Sequence, residues 1–369
     1  MLINALKQHA ITLKEQGLHR DRGVGLADKG VVNFSSNDYL SLTMDPHIKK
    51  AYQHGFKHYP AGSGGSMVVC GYHATHKALE AAFSEALGVD DCLLFPSGYA
   101  ANLSVIALLA QFDAHILIDK GVHASIYDGI RLSTPSYSRY LHQNLADLAI
   151  KNEKSPTTTV IMTEGTFSMS GQSAPLRDIA KLGRQMLVDE AHSFGILGRE
   201  GLGAVMAHQL TQDEVPLRII PLGKAFAASG AIVAGQADWI DALLQSARPH
   251  IYSTAISPAF SHGLLATLQV IRDADDRREK LQDLVQYFHQ AIERSPLQWA
   301  HSFSPIQQLQ LGASHLAIDY ADKLREQSIV CSPMRQPTVS RQETGLRIIL
   351  NYHHQRTDID RLFNGLHQC

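Results

Sequence analysis

The sequence predicts an α/β fold in which a mostly parallel sheet is covered by helices on both faces and followed by a small C-terminal α+β domain. Three observations predict it. Short apolar runs alternate with segments of helical spacing between residues 92 and 235. Residues 237 to about 294 read as helical throughout. From about 295 onward shorter strands and helices follow with no Pro/Gly-rich linker, so the last part should pack firmly on the first. A chain of 369 residues has room for one large domain and a smaller one. The expected division is an N-terminal arm with a short strand over 1–45, a large domain over 46–294 and a small domain over 295–369.

In order, residues from about 4 to 18 form an amphipathic helix through Leu6, Ile11, Leu13 and Leu18, followed by Arg20 and Arg22. Val31 to Ser35 is a short strand and Asn37-Asp38-Tyr39 a turn. Ala61-Gly62-Ser63-Gly64-Gly65-Ser66 is a flexible loop that lacks the spacing of a dinucleotide fingerprint. His73 and His76 mark a helix start rather than a metal site, and Leu79, Ala82, Phe83 and Ala86 give that helix, about 75 to 87, one buried face. The alternation then runs strand Cys92 to Phe95, helix 99 to 111, strand 115 to 119, helix 124 to 132, strand 158 to 163 and helix 175 to 184. Strands Met186 to Asp189, 217 to 221 and Ala231 to Gly235 complete the sheet. The charge run Arg272 to Lys280 reads as a solvated face joining two long helices. The small domain has strands near 307–311, 329–333 and 345–351 and helices near 314–327 and 357–367.

Composition narrows the function. A net charge of -2 with scattered basic residues gives no reason to expect nucleic acid or a membrane surface as partner. Cys70, Cys92, Cys331 and Cys369 show neither a disulfide framework nor zinc spacing, so no metal is expected. No stretch is long and apolar enough to span a bilayer, and residues 1–22 carry charges throughout, which makes the cytoplasm the expected location.

Three features carry chemistry. Apolar residues Leu217, Ile219 and Ile220 run into a turn of small residues that delivers Lys224, a candidate Schiff-base lysine, although a solvated surface lysine would read the same in isolation. Phe95-Pro96-Ser97-Gly98-Tyr99 leads from a strand into a helix whose first N–H groups suit a phosphate, or simply an N-cap. Leu187-Val188-Asp189-Glu190-Ala191-His192 ends a buried strand on a carboxylate. The same letters occur in a helicase box, but the phosphate loop such enzymes need is missing, which excludes nucleotide hydrolysis. An amine for an aldehyde, a carboxylate for a pyridine nitrogen and a helix start for a phosphate are together what pyridoxal phosphate (PLP) requires. The chain therefore reads as a fold-type I PLP enzyme.

A finer resemblance rests on Asn33-Phe34-Ser35-Ser36-Asn37-Asp38-Tyr39-Leu40, Gly62-Ser63-Gly64-Gly65-Ser66, Ser97-Gly98-Tyr99-Ala100-Ala101-Asn102 and His123-Ala124-Ser125. It continues through Thr163-Glu164-Gly165-Thr166-Phe167-Ser168-Met169, Asp189-Glu190-Ala191-His192 and Leu222-Gly223-Lys224. From about residue 18 to its C-terminus the chain resembles the α-oxoamine synthases, most of all the 8-amino-7-oxononanoate synthases of biotin biosynthesis. The resemblance implies decarboxylative condensation of L-alanine with pimeloyl-CoA or pimeloyl-acyl carrier protein by a homodimer with shared active sites. It implies that Lys224 holds the PLP aldehyde, Asp189 pairs with the ring nitrogen, His192 with the ring hydroxyl, and His123 stacks on the ring and positions substrate. Ser168 would bond near the ring oxygen, and the Gly98 and Tyr99 backbone would lie beside the cofactor. Ser253 and Thr254 would reach the phosphate from the partner subunit. Arg20, with Arg22 as its alternative, Thr338 in Arg335-Gln336-Pro337-Thr338, and Arg347 would bind substrate, Arg347 taking the amino-acid carboxylate.

Two departures from that family stand out. Pro221 occupies the place of a phosphate-binding hydroxyl three residues before the lysine, which implies weaker PLP retention or help from the partner chain. His192-Ser193-Phe194-Gly195 carries bulk where small residues are usual, which leaves the acyl donor open. A relative using glycine or serine with another acyl thioester, a PLP lyase or aminotransferase, and a silent partner subunit remain the alternatives.

Overall fold

Twelve strands are found in a computed structural model that describes residues 1–16, 18–20, 22, 30–336 and 338–369. Gly17 in the expected first helix and Pro337 in the expected substrate motif lie outside the described residues. In chain order the strands are β1 (Val32–Asn33), β2 (Asp91–Phe95), β3 (His115–Asp119), β4 (Tyr137–Tyr140), β5 (Thr159–Glu164) and β6 (Met186–Asp189). They continue as β7 (Leu217–Pro221), β8 (Ala231–Gly235), β9 (Ile306–Gln310), β10 (Ile329–Val330), β11 (Ser332–Met334) and β12 (Gly345–Ile349).

Seven of them form the central sheet in the order β2-β8-β7-β6-β5-β3-β4. β8 runs antiparallel to both β2 and β7, while β7, β6, β5, β3 and β4 pair in parallel. All strands but β8 therefore end on one edge, which is where ligands bind in such sheets. Register places Glu164 opposite Asp189 and Asp189 opposite Ile219. The reversal of β8 folds the 222–230 turn back so that Gly230 bridges to Ser97. That one topological feature brings the lysine turn to the helix that starts after β2.

Alternate side chains of β2 and β8 feed two apolar layers. Leu93 and Phe95 of β2 pack with Val105 and Ile106 of helix Gly98–Gln111, whereas Cys92 and Leu94 join Leu79 and Phe83 of helix Ala74–Leu87. The second layer also takes in helices Pro258–Arg272 and Asp275–Glu293 and continues into the antiparallel sheet β11-β12-β9. β1 pairs in parallel with β10, Val32 opposite Ile329, so the segment before residue 45 is stitched to residues near the other end of the chain.

The expected strand at 329–333 is two strands in two sheets, β10 and β11, separated at Cys331. The expected helix at 175–184 ends at Ala180, ahead of Gly183 with φ +70°. Residues 237 to 294 break into helices Ala237–Ser246, Arg248–Ile251, Pro258–Arg272 and Asp275–Glu293. The charge run is not merely solvated: Arg277 bonds Asp45 at 2.6 Å and the Leu40 carbonyl at 2.9 Å, and Arg272 bonds Glu200 at 2.6 Å. His73 and His76 do begin a helix, the His73 N–H donating to His76 Nδ1 at 2.9 Å. Among the described residues no helix is long and apolar enough to cross a membrane.

Candidate active site

At the shared strand edge lies a cavity of about 300 Å³ lined by Ser97, Gly98, Tyr99, Asn102, His123, Ser125, Glu164, Asp189, His192, Pro221 and Lys224, among others. Ser97 caps the helix after β2, its hydroxyl accepting from the Ala100 N–H at 3.1 Å. Gly98 and Tyr99 then supply first-turn N–H groups beside the cavity, where a phosphate is favoured. A Cβ on Gly98 would lie 2.5 Å from Pro221 Cγ, so only glycine fits between that helix start and the end of β7.

Lys224 follows β7 in a turn closed by Ala227 N–H to the Lys224 carbonyl (2.8 Å) and Ala228 N–H to the Leu222 carbonyl (2.9 Å). Ala227 takes φ +56°, a left-handed conformation that costs an L-residue energy. Burial and the Arg347 charge lower the Lys224 pKa, against the pull of Asp189 and Glu164. A lowered pKa supplies more free amine near neutral pH.

Asp189, 3% exposed at the end of β6, accepts from Asn102 Nδ2 at 2.8 Å and from the Ala191 N–H at 2.9 Å. Burial holds its carboxyl above the ordinary range, and these two bonds oppose that rise. Glu190, the next residue, turns the other way into a buried ion pair with Arg218 at 2.8 Å. It also accepts from the Ala204 N–H at 2.7 Å and from the Ser193 hydroxyl. The Glu190 cluster anchors the segment that carries Asp189 and His192.

His192 is buried with Nδ1 2.6 Å from the Tyr39 hydroxyl, and burial plus the charges of Arg347, Lys224 and His123 hold it well below its ordinary pKa. His123 caps helix Ala124–Ser133 and contacts the Ser125 hydroxyl at 2.8 Å. Arg347 on β12 donates through Nη2 to Asn37 Oδ1 at 3.1 Å, while its buried Nε has no hydrogen-bond partner. Ser168 lies beside Glu164, its N–H donating to Oε2 at 3.3 Å, rather than on the cavity lining.

Six expected site residues do not line this cavity: Ser168 and Arg347, placed above, and Ser253, Thr254, Arg20 and Thr338. Ser253 and Thr254 border a separate, much smaller pocket with Met67, Phe95 and His250. Arg20 and Thr338 are exposed. Phe194, expected to add bulk near the acyl donor, is 2% exposed and packs against Phe83 at 5.9 Å, in the apolar layer and not on the cavity lining.

Glu164 and Asn102 also line the cavity, two positions the motifs did not single out. Glu164 ends β5 as Asp189 ends β6, in register with it, and burial followed by repulsion from Asp189 pushes its carboxyl well above the ordinary range. Its Oε1 is buried without a partner, as is Asn102 Oδ1. A second strand-end carboxylate was the available signal for Glu164. A lone asparagine on the buried stripe of an apolar helix was the signal for Asn102.

These residues fit PLP: a half-buried amine, a carboxylate held by an amide, a helix start and unsatisfied buried polar atoms border one cavity. The model of the aminotransferase class I and II family matches residues 29–366. The chain is 40% identical over 341 residues to the 8-amino-7-oxononanoate synthase of Pseudomonas syringae pv. syringae (strain B728a), covering 91% of this chain and 86% of that one. It superposes on the crystal structure of 8-amino-7-oxononanoate synthase from Francisella tularensis with TM-score 0.84 and 32% identity, over 92% of this chain and 98% of that one. Serine palmitoyltransferase of Sphingomonas wittichii shares the fold, with TM-score 0.90 at 24% identity over 99% of this chain and 96% of that one.

Proposed function

Because the chain belongs to the class I and II aminotransferases and, among them, to the 8-amino-7-oxononanoate synthases, we propose that it joins L-alanine to a pimeloyl thioester, on CoA or acyl carrier protein, releasing CO2 and free thiol. The observation that carries this reading is the meeting of Lys224, Asp189 and the Gly98 helix start around one cavity. Bound PLP supplies an electron sink for the pair left when the alanine Cα loses its proton.

The chain's own residues do the rest. Lys224 takes that proton on Nζ, a role its lowered pKa suits. Asp189 would hold the ring nitrogen in its protonated form, and Asn102 and the Ala191 N–H hold the Asp189 carboxylate in place. His192 would hold the ring hydroxyl, with Ser168 behind Glu164, and His123 would support the ring from the cavity wall. Arg347, its Nε free of other bonds, and Asn37 hold the alanine carboxylate. In a homodimer Ser253 and Thr254 would reach the phosphate of the neighbouring site, and Arg20 and Thr338 would meet the acyl chain.

Thiol release from pimeloyl-CoA with L-alanine, run beside glycine, serine and other acyl-CoAs, tests the reading. Alanine with the pimeloyl thioester should turn over fastest, with CO2 and thiol in equal amounts. Thiol release only with another amino acid would transfer the chain to a different branch of the family.

A further inference from the structure

Tyr39 lies in the turn after β1, is 1% exposed, and has one hydroxyl proton to give. Two acceptors compete for it: His192 Nδ1 at 2.6 Å and Asn37 Oδ1 at 3.3 Å. Asn37 Oδ1 already receives a bond from Arg347 Nη2 at 3.1 Å, and the Arg347 charge partly opposes the rise that burial imposes on the Tyr39 phenol, which strengthens its hydroxyl as a donor. A 2.6 Å contact is the length of a bond from an O–H donor and short for one from an N–H donor, so the Tyr39 hydroxyl gives its proton to His192 Nδ1. Tyr39 keeps that proton to share because burial pushes its phenol upward. His192 stays neutral because the charged groups that act on it, Arg347 from β12, Lys224 from the turn after β7 and His123 from the segment after β3, all disfavour the imidazolium.

A neutral imidazole whose Nδ1 accepts a hydrogen bond must carry its own proton on Nε2. We propose that Tyr39 is a positioning residue whose hydroxyl fixes His192 in the Nε2–H form, so that the imidazole offers the cavity a donor and not an acceptor. A donor there favours the deprotonated form of the cofactor's ring hydroxyl. Through Asn37 and Arg347 the same chain of contacts reaches the groups that face the amino-acid carboxylate, so the ring oxygen and the carboxylate site share one hydrogen-bonded string. Tyr39 is 153 positions from His192 in sequence, and nothing in its motif announces the pairing. The inference rests on the proposed placement of PLP with its hydroxyl toward His192.

The test uses the PLP-loaded enzyme. In Tyr39→Phe, which keeps the ring packing, the pH midpoint of the cofactor's visible absorbance should rise by about one pH unit, the worth of one neutral hydrogen bond. A packing role would move the unfolding midpoint and leave the visible transition in place. Histidine-selective 15N NMR, with His192 assigned by its loss in His192→Gln, should report Nε2–H in the wild type and a shift toward Nδ1–H in Tyr39→Phe. An unchanged visible midpoint in a folded, PLP-loaded Tyr39→Phe overturns the inference, and so does Nδ1–H in the wild type, which stands even if the variant does not fold. A wild type that develops no visible band with PLP strikes the cofactor placement instead, and the wild-type NMR spectrum still decides the tautomer.

Discussion

Glu80 links the helix Ala74–Leu87 to the strand that feeds the cofactor helix, and its ionisation should be readable in the stability of the whole protein. It is 6% exposed; Oε2 accepts from the Tyr72 hydroxyl at 2.7 Å and Oε1 from the Leu94 N–H at 2.9 Å. Burial pushes its carboxyl from the ordinary 4.5 up to about 7, the two hydrogen bonds only partly opposing it. Below pH 4.5 folded and unfolded chains both hold this proton; between 4.5 and about 7 only the folded chain does. Stability contributed by the site is therefore complete at low pH, falls as pH rises through that window, and stays down above it. The window spans about 2.5 pH units at about 1.4 kcal/mol each, so about 3.5 kcal/mol is at stake. Glu80→Gln keeps an acceptor for the Leu94 N–H and removes the titration. Urea unfolding of variant and wild type at pH 5 and pH 8 isolates the effect, since all other groups titrate alike in both. The variant should gain about 2–3 kcal/mol on the wild type between the two pH values. A difference that is the same at both would refute the claim that burial governs Glu80.

Lys224→Ala should abolish the visible absorbance of bound PLP and turnover together, measured on protein reconstituted with PLP; a normal band in that variant would remove the lysine from the chemistry. Pro221→Thr places a hydroxyl next to Gly98, where Pro221 now offers neither hydroxyl nor N–H. It should slow PLP loss to a carbonyl scavenger by about tenfold, the worth of one hydrogen bond to a charged group, and equal rates would show that Pro221 costs nothing. Ala227→Gly relieves a φ of +56°. It should stabilise the protein by about 0.5 kcal/mol, the left-handed strain less the added chain entropy, read from the urea midpoint, and a lower midpoint would speak against strain in this turn.

What the sequence made legible, and what it hid, follows from where the forces act. Strands β2, β3, β6, β7 and β8 are short apolar runs, and the residues ending them announce the site edge, so Lys224, Asp189 and Gly98 could be placed before any coordinates. Edge strand β4 escaped because only Tyr140 in it is buried, leaving no apolar pattern to detect. Helix Pro46–His58 buries only Ile48 and Gly55, and helix Leu145–Glu153 only Leu148. Their caps were the readable signal. Asp45 accepts from His47 and Ile48 N–H groups ahead of Pro46, and Asn144 accepts from the Asp147 N–H. Contacts such as Tyr39 with His192 or Arg347 with Asn37 join residues far apart in the chain, and only the folded path puts them together.

The pairing of β1 with β10 sets an order of assembly during synthesis. Asn37 and Tyr39 leave the ribosome early, yet the strand just before them finds its partner at Ile329 and Val330, and the Phe34 carbonyl its donor at the Ile349 N–H. A nascent chain halted before residue 329 could already lay out the central sheet with Lys224 and Asp189 on its edge, but would have nothing to hold β1, and Arg347 would not yet exist. The contact between Asn37 and Arg347, proposed to hold the amino-acid carboxylate, is thus assembled last.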